Sequence, residues 1–270
     1  MTPCISQATT LTTSFADDIA NASSAGFPAI EIWLTKVEQH LESTSASETA
    51  KLVEDRGIVL AAASFQGGLL LAQGEQRRVH YEHFKKRLDL CQRFGIATMI
   101  VVADFAQKPD AESLGRAMKS LTEAARWAAG FGVKLALEFH GGDAFCNCLD
   151  TALTLVEQCG EPNLGVCLDA FHFYKGPSKS EDLERLTPAN VLHVQVCDVA
   201  GVPRELMTDA DRVMPGDGDF RLEALIARLR TIGYSGAVSL ELLNPMLWQM
   251  NAVQIVETGM RALERQFALV

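Results

Sequence analysis

The amino-acid sequence predicts an α/β protein built as a single (β/α)8 TIM barrel, and three observations carry that expectation. Short runs of β-branched and aliphatic residues alternate with longer amphipathic stretches, the pattern of parallel strands joined by crossover helices. No shift in composition and no Pro-, Gly- or Ser-rich linker interrupts the 270 residues, so residues 1–270 read as one domain. An open doubly wound sheet, the second choice, would carry a glycine-rich phosphate loop after an early strand. Gly67-Gly68 is the nearest feature and has neither GxGxxG nor GxxxxGK spacing.

The elements follow in order. The first strand, at 4–8, is followed by Thr12 to Ser14, N-caps for a helical window at 12–25 that Ala25-Gly26-Phe27 stops. The strand at 29–34 and the window at 37–56 end at Asp55-Arg56-Gly57, ahead of the strand at 58–64. Phe94-Gly95 closes the window at 75–94 before the strand at 98–103, and Phe131-Gly132 closes 111–130 before 133–140. A helix at 145–160 leads to the strand at 164–169. Ser178, ahead of Glu181-Asp182, caps a helix at 179–187, which precedes the strand at 191–197. Asp219 opens a helix at 221–232 that Ile232-Gly233-Tyr234 ends. The strand at 237–242 and a helix at 248–267 complete eight of each.

Composition excludes several classes. The chain has 24 Lys+Arg against 34 Asp+Glu, a net charge of −10. A phosphate backbone needs clustered cations to displace its counterions, so nucleic acid is not an expected partner. No apolar run approaches the roughly 20 residues that cross a bilayer, and residues 1–15 lack the basic and apolar regions of a signal peptide. The chain therefore reads as soluble and cytoplasmic, with no membrane partner. Its seven cysteines, Cys4, Cys91, Cys146, Cys148, Cys159, Cys167 and Cys197, sit mostly in apolar runs and read as buried free thiols.

In such a barrel the chemistry sits at the carboxyl ends of the strands. The first three strands offer little there beyond Gln7 and Glu31, whereas the last four end in Glu138 with His140, in Asp169, in Gln195 and in Glu241. Three carboxylates brought to one spot repel unless a cation lies between them. Three carboxylates and one amide form an all-oxygen set, which suits Mn²⁺ or Mg²⁺ ahead of Co²⁺ or Zn²⁺. Taken singly, each acid also reads as a helix cap or the partner of a surface lysine. His193 shares a face with Gln195 nearer the strand start and reads equally as a core histidine. The loop at 173–179 gathers aromatic residues with Lys175 and Lys179, placed to meet an anionic or polyhydroxy substrate or simply to lie in solvent. Trp33 and Phe65 could stack on a sugar face or pack at the rim.

Five motifs in this order give the chain a family resemblance: Leu137-Glu138, the D-x-x-H of Asp169 to His172, the H-x-[HQ]-x-x-D of His193 to Asp198, the R-x-x-P-G-x-G of Arg212 to Gly218, and Leu240-Glu241. The chain resembles the xylose isomerase-like TIM barrels, the sugar phosphate isomerase/epimerase superfamily. The resemblance implies that Glu138, Asp169, Gln195 and Glu241 are metal ligands. It makes His172 a substrate-binding or proton-transferring residue and gives Arg212 or Arg204 the task of holding a substrate oxygen. At the third ligand the sugar epimerases and isomerases usually have histidine. Gln195 looks more like one branch of the 3-dehydroshikimate dehydratases, and Glu138-x-His140 resembles the placement of a general base in that lyase group.

The activity implied is that of a divalent-metal-dependent isomerase or epimerase. Its substrate would be a keto sugar or related polyhydroxy carbonyl compound. Glu138 or Glu241 would remove a proton next to the carbonyl while the metal stabilises the enediolate. The alternative is a dehydratase of the 3-dehydroshikimate or inosose type, with His140 or His172 as acid. A non-catalytic sugar-binding barrel is the reading from another class. Leu247 to Leu263 form a broad apolar face on the last helix that packing on the barrel explains, leaving a homo-oligomer open.

Overall fold

The apolar runs become eight short strands because each alternates side chains between two faces and ends at a turn. The computed structural model describes residues 1–269. In chain order the elements are β1 (Thr2–Ser6), α1 (Phe15–Ser24), β2 (Ala29–Trp33), α2 (Leu34–Leu41), α3 (Ala46–Asp55), β3 (Val59–Gln66), α4 (Gly74–Arg93), β4 (Thr98–Val102) and α5 (Ala111–Gly130). They continue with β5 (Lys134–Glu138), α6 (Leu149–Cys159), β6 (Leu164–Asp169), α7 (Ala170–Lys175), β7 (Val191–Val196), α8 (Leu222–Thr231), β8 (Ala237–Leu240) and α9 (Ala252–Ala268). The strand order is β1 through β8 in a closed barrel. Among the described residues no helix is long and apolar enough to cross a membrane.

Residue contacts divide the chain into two compact units. One comprises Met1–Ala62 and the chain from Val194 on. In it the parallel pairing of β1 with β2 sets Ser6 beside Glu31, and that of β7 with β8 sets Gln195 beside Ser239. Ser6, Glu31, Gln195, Ser239 and Glu241 are all buried, which places this polar row on the interior face. The other unit is Ala63–His193. There β4 and β5 pair Val102 with Glu138, and β5 and β6 pair Glu138 with Cys167.

Local signals behave largely as predicted. Gly26, Gly57, Gly95, Gly132 and Gly233 all lie at positive φ where helices stop, and Ser14 caps α1 by accepting from Asp17 N. All seven cysteines are free thiols, five of them buried and Cys148 and Cys159 partly exposed.

Four expectations are corrected. The window at 37–56 is two helices, because Ser45 and Glu48 form a capping box that starts α3 anew. The window at 179–187 is a 3₁₀ turn, Ser180–Arg185, and the α-helix of this region is α7, opened by Asp169 itself. Ser178 instead accepts from Leu149 N at the start of α6. Asp219 does not cap α8, since its carboxylate accepts from Gly201 N.

Candidate active site

In the unit Ala63–His193, Glu138 closes β5 and is 6% exposed. Asp169 closes β6, is fully buried, and accepts from Phe171 N at 2.7 Å through Oδ1, which fixes the carboxylate and starts α7 in one contact. One turn later in α7, His172 brings Nε2 to 3.8 Å from Glu138 Oε1 and 3.9 Å from Asp169 Oδ2. Gly141 N donates to His172 Nδ1 at 3.3 Å. With Nδ1 accepting, the neutral ring carries its proton on Nε2, the nitrogen that faces the two carboxylates.

His140 lies two residues beyond the strand, its Nε2 4.0 Å from Glu138 Oε2 and its Nδ1 3.9 Å from Asp143 Oδ2. The two imidazole rings lie 4.7 Å apart. The loop that carries His140 fits only as glycine at one point. A Cβ at Gly141 would come within 2.6 Å of Gly176 N and 2.7 Å of His172 O. Asp104, just after β4, joins the same neighbourhood. Its carboxylate accepts from Gly68 N, and burial raises its pKa against the opposing pull of that hydrogen bond and of His140 and His80.

The unit from Val194 on and Met1–Ala62 is organised by hydrogen bonds. Gln195 Nε2 donates to Glu31 Oε1 at 3.0 Å and to Glu241 Oε1 at 2.9 Å. Ser6 Oγ contacts the same two oxygens at 3.1 and 3.3 Å. Glu241 Oε2 faces Arg212 Nη1 at 3.3 Å, and the rest of that guanidinium holds Asp209 Oδ1 at 2.8 and 3.0 Å. Arg212 is 0% exposed.

The R-x-x-P-G-x-G motif explains that burial. The Asp198 carboxylate accepts from Val199 N, Gly216 N and Phe220 N, and a Cβ at Gly218 would come within 2.3 Å of it. Asp198 and Val213 also exchange two backbone hydrogen bonds, at 3.0 and 2.8 Å. The motif is a clamp that seats Arg212.

The other predicted residues are scattered. Arg204 stands exposed in a 3₁₀ turn, and Lys179 is exposed ahead of another. Trp33 is half-buried at the start of α2, with its backbone N–H on Gln7 Oε1. Phe65 is 40% exposed, and His193 is buried. Sequence reasoning passed over Ser6, Asp104, Asp143 and Asp209. Of these, only the place of Ser6 at the carboxyl end of β1 was readable in the sequence, and its partners were not.

Glu138, His140 and His172 each offer an atom within 4.8 Å of the others, close enough to hold one metal ion. The buried acids Glu138 and Asp169, like Glu241 beside the amide of Gln195, are donors of the hard type that divalent cations take. The donor chemistry therefore fits a divalent ion.

A family model for xylose isomerase-like TIM barrels matches residues 19–266. The chain is 29% identical over 264 residues to a Halalkalibacterium halodurans protein named inosose isomerase, covering 95% of this chain and 93% of that one. It is 25% identical over 231 residues to a Pseudomonas aeruginosa 3-dehydroshikimate dehydratase, covering 82% of this chain and 35% of that one. A solved structure of an IOLI protein with a binding zinc atom is similar at TM-score 0.93 and 27% identity, covering 100% of this chain and 99% of that one.

Proposed function

The chain belongs to the xylose isomerase-like TIM barrel family and is an enzyme of that superfamily, and from that premise we propose that it is a divalent-metal-dependent isomerase of a polyhydroxy ketone of the inosose class. Glu138, Asp169, Gln195 and Glu241 would hold the ion. Their oxygen-only donor set favours Mn²⁺ or Mg²⁺, although a related structure carries zinc. The ion would supply electrophilic stabilisation of negative charge on substrate oxygen.

The observation that carries the reading is Glu138, whose two carboxylate oxygens lie 3.8 Å from His172 Nε2 and 4.0 Å from His140 Nε2. A carboxylate between two imidazoles can take a proton from carbon while a neighbouring N–H serves the adjacent oxygen. His172 is the stronger candidate for that donor, because Gly141 N–H on Nδ1 keeps the proton on Nε2. Glu241 is less suited to act as base. Its oxygens are already engaged by Ser6, Gln195 and Arg212, which hold the carboxylate in place. Glu138 takes the proton from the carbon beside the carbonyl and returns it to the neighbouring carbon. Seven free thiols accord with action in the reducing cytoplasm.

The test is exchange chemistry. With Mn²⁺ and an inosose in D₂O, proton NMR is expected to show deuterium entering beside the carbonyl, and chelator is expected to stop it. No exchange with any inosose would remove the isomerase reading. A dehydratase is the second reading, favoured by His140 at Glu138 and by Gln195. New aromatic absorbance from 3-dehydroshikimate would establish it instead.

A further inference from the structure

Glu31, in the middle of β2, has no part in the chemistry above, yet it is fully buried and bonded to a residue that does. Its Oε1 accepts from Gln195 Nε2 at 3.0 Å, and the same nitrogen reaches Glu241 Oε1 at 2.9 Å. Ser6 Oγ lies against both oxygens, at 3.1 and 3.3 Å.

A primary amide carries two N–H donors at one end and an acceptor oxygen at the other, and an ionised carboxylate only accepts. Two carboxylates on one nitrogen therefore leave a single orientation for the Gln195 amide. In that orientation its oxygen points away from Glu31. Only the oxygen end of an amide suits a hard cation, because the nitrogen lone pair is delocalised into the carbonyl.

We infer that Glu31 is a positioning residue that orients the Gln195 amide so that Oε1, rather than the nitrogen, is presented to the divalent ion, an inference that rests on the metal-site reading above. The device is the amide counterpart of the outer carboxylates that orient ligating imidazoles. With glutamine at position 31, either end of the new amide can face Gln195, and only Glu241 is left to hold the orientation.

The experiment measures Mn²⁺ affinity of the metal-free full-length protein by isothermal titration calorimetry for wild type, Glu31→Gln, Gln195→Ala and the double variant. Glu31→Gln is expected to weaken binding about 10- to 100-fold. In the Gln195→Ala background the same change is expected to cost no more than about 2-fold, since the residue it acts through is gone. With Co²⁺ in place of Mn²⁺, the visible absorption of Glu31→Gln is expected to move toward that of Gln195→Ala.

Wild-type affinity in Glu31→Gln would overturn the inference. So would an equal loss in both backgrounds, which would make Glu31 a direct electrostatic contributor. If Glu31→Gln fails to fold, Glu31→Asp keeps the acceptor but withdraws it by one methylene. It is expected to show an intermediate loss, and unchanged affinity there would also overturn the inference. Absence of Mn²⁺ binding by wild type would bring down the metal-site reading itself.

Discussion

The unit around Glu138 and the unit around Glu241 solve opposite problems. Glu138 faces imidazole nitrogens at 3.8 and 4.0 Å, contacts longer than hydrogen bonds, and His140 keeps 32% of its side chain exposed. Glu241 accepts from Ser6, Gln195 and Arg212 at 2.9 to 3.3 Å with its side chain 4% exposed. Loosely spaced titratable groups with access to solvent can exchange protons. A buried carboxylate hydrogen-bonded to several donors is held in place. Under the function proposed above, the first side would move protons and the second would hold its carboxylate in place, and three variants press on that contrast.

The largest effect is expected at Glu138. Glu138→Gln removes the base but keeps its shape, so kcat/KM with an inosose is expected to fall about 1000-fold while the urea midpoint stays close to wild type. A large loss of stability with little loss of turnover would reverse the roles assigned to the two sides.

Arg212→Met is next, and it tests the holding side. Removing one partner of a buried ion pair leaves Glu241 uncompensated and costs about 3–5 kcal/mol. Urea unfolding of the metal-free protein would read this directly. An unchanged midpoint would mean that Glu241 does not depend on the guanidinium.

The smallest effect concerns a second buried pair on the holding side. Lys36 Nζ lies 2.5 Å from Asp18 Oδ2, with 8% and 2% of the side chains exposed. Burial raises the Asp18 pKa to about 6 from 3.8, against the lowering pull of Lys36. An acid with a raised folded-state pKa binds its proton more tightly when folded. Its contribution to stability is therefore greatest below about 3.8 and is lost as pH rises through about 6. Asp18→Asn is expected to flatten this part of the stability profile between pH 4 and 6, measured by urea unfolding. An unchanged slope would assign it to other groups.

Much of this was legible in the sequence, and the limits are instructive. The glycine stops succeeded because they depend on one residue's backbone freedom. The strand-end acids Glu138, Asp169 and Glu241 emerged because strand parity and the parallel run of the elements are local patterns. The split of the window at 37–56 was missed, although Ser45 and Glu48 spell a capping box, because the helical period continues across it. Arg212 was expected to face substrate through its motif, whereas it is buried on Asp209 and Glu241.

By itself, then, the sequence determined the alternation of eight strands and their helices, the glycine breaks, and which side chains end each strand. Those properties are encoded in periodicities of a few residues. Tertiary structure alone decided that Ser6 meets Glu31 and Glu241, 25 and 235 residues away, and that Gln195 meets Glu31 across 164 and Glu241 across 46. Hydrogen bonds of that span depend on which strands become neighbours and in what register. No local pattern carries that information.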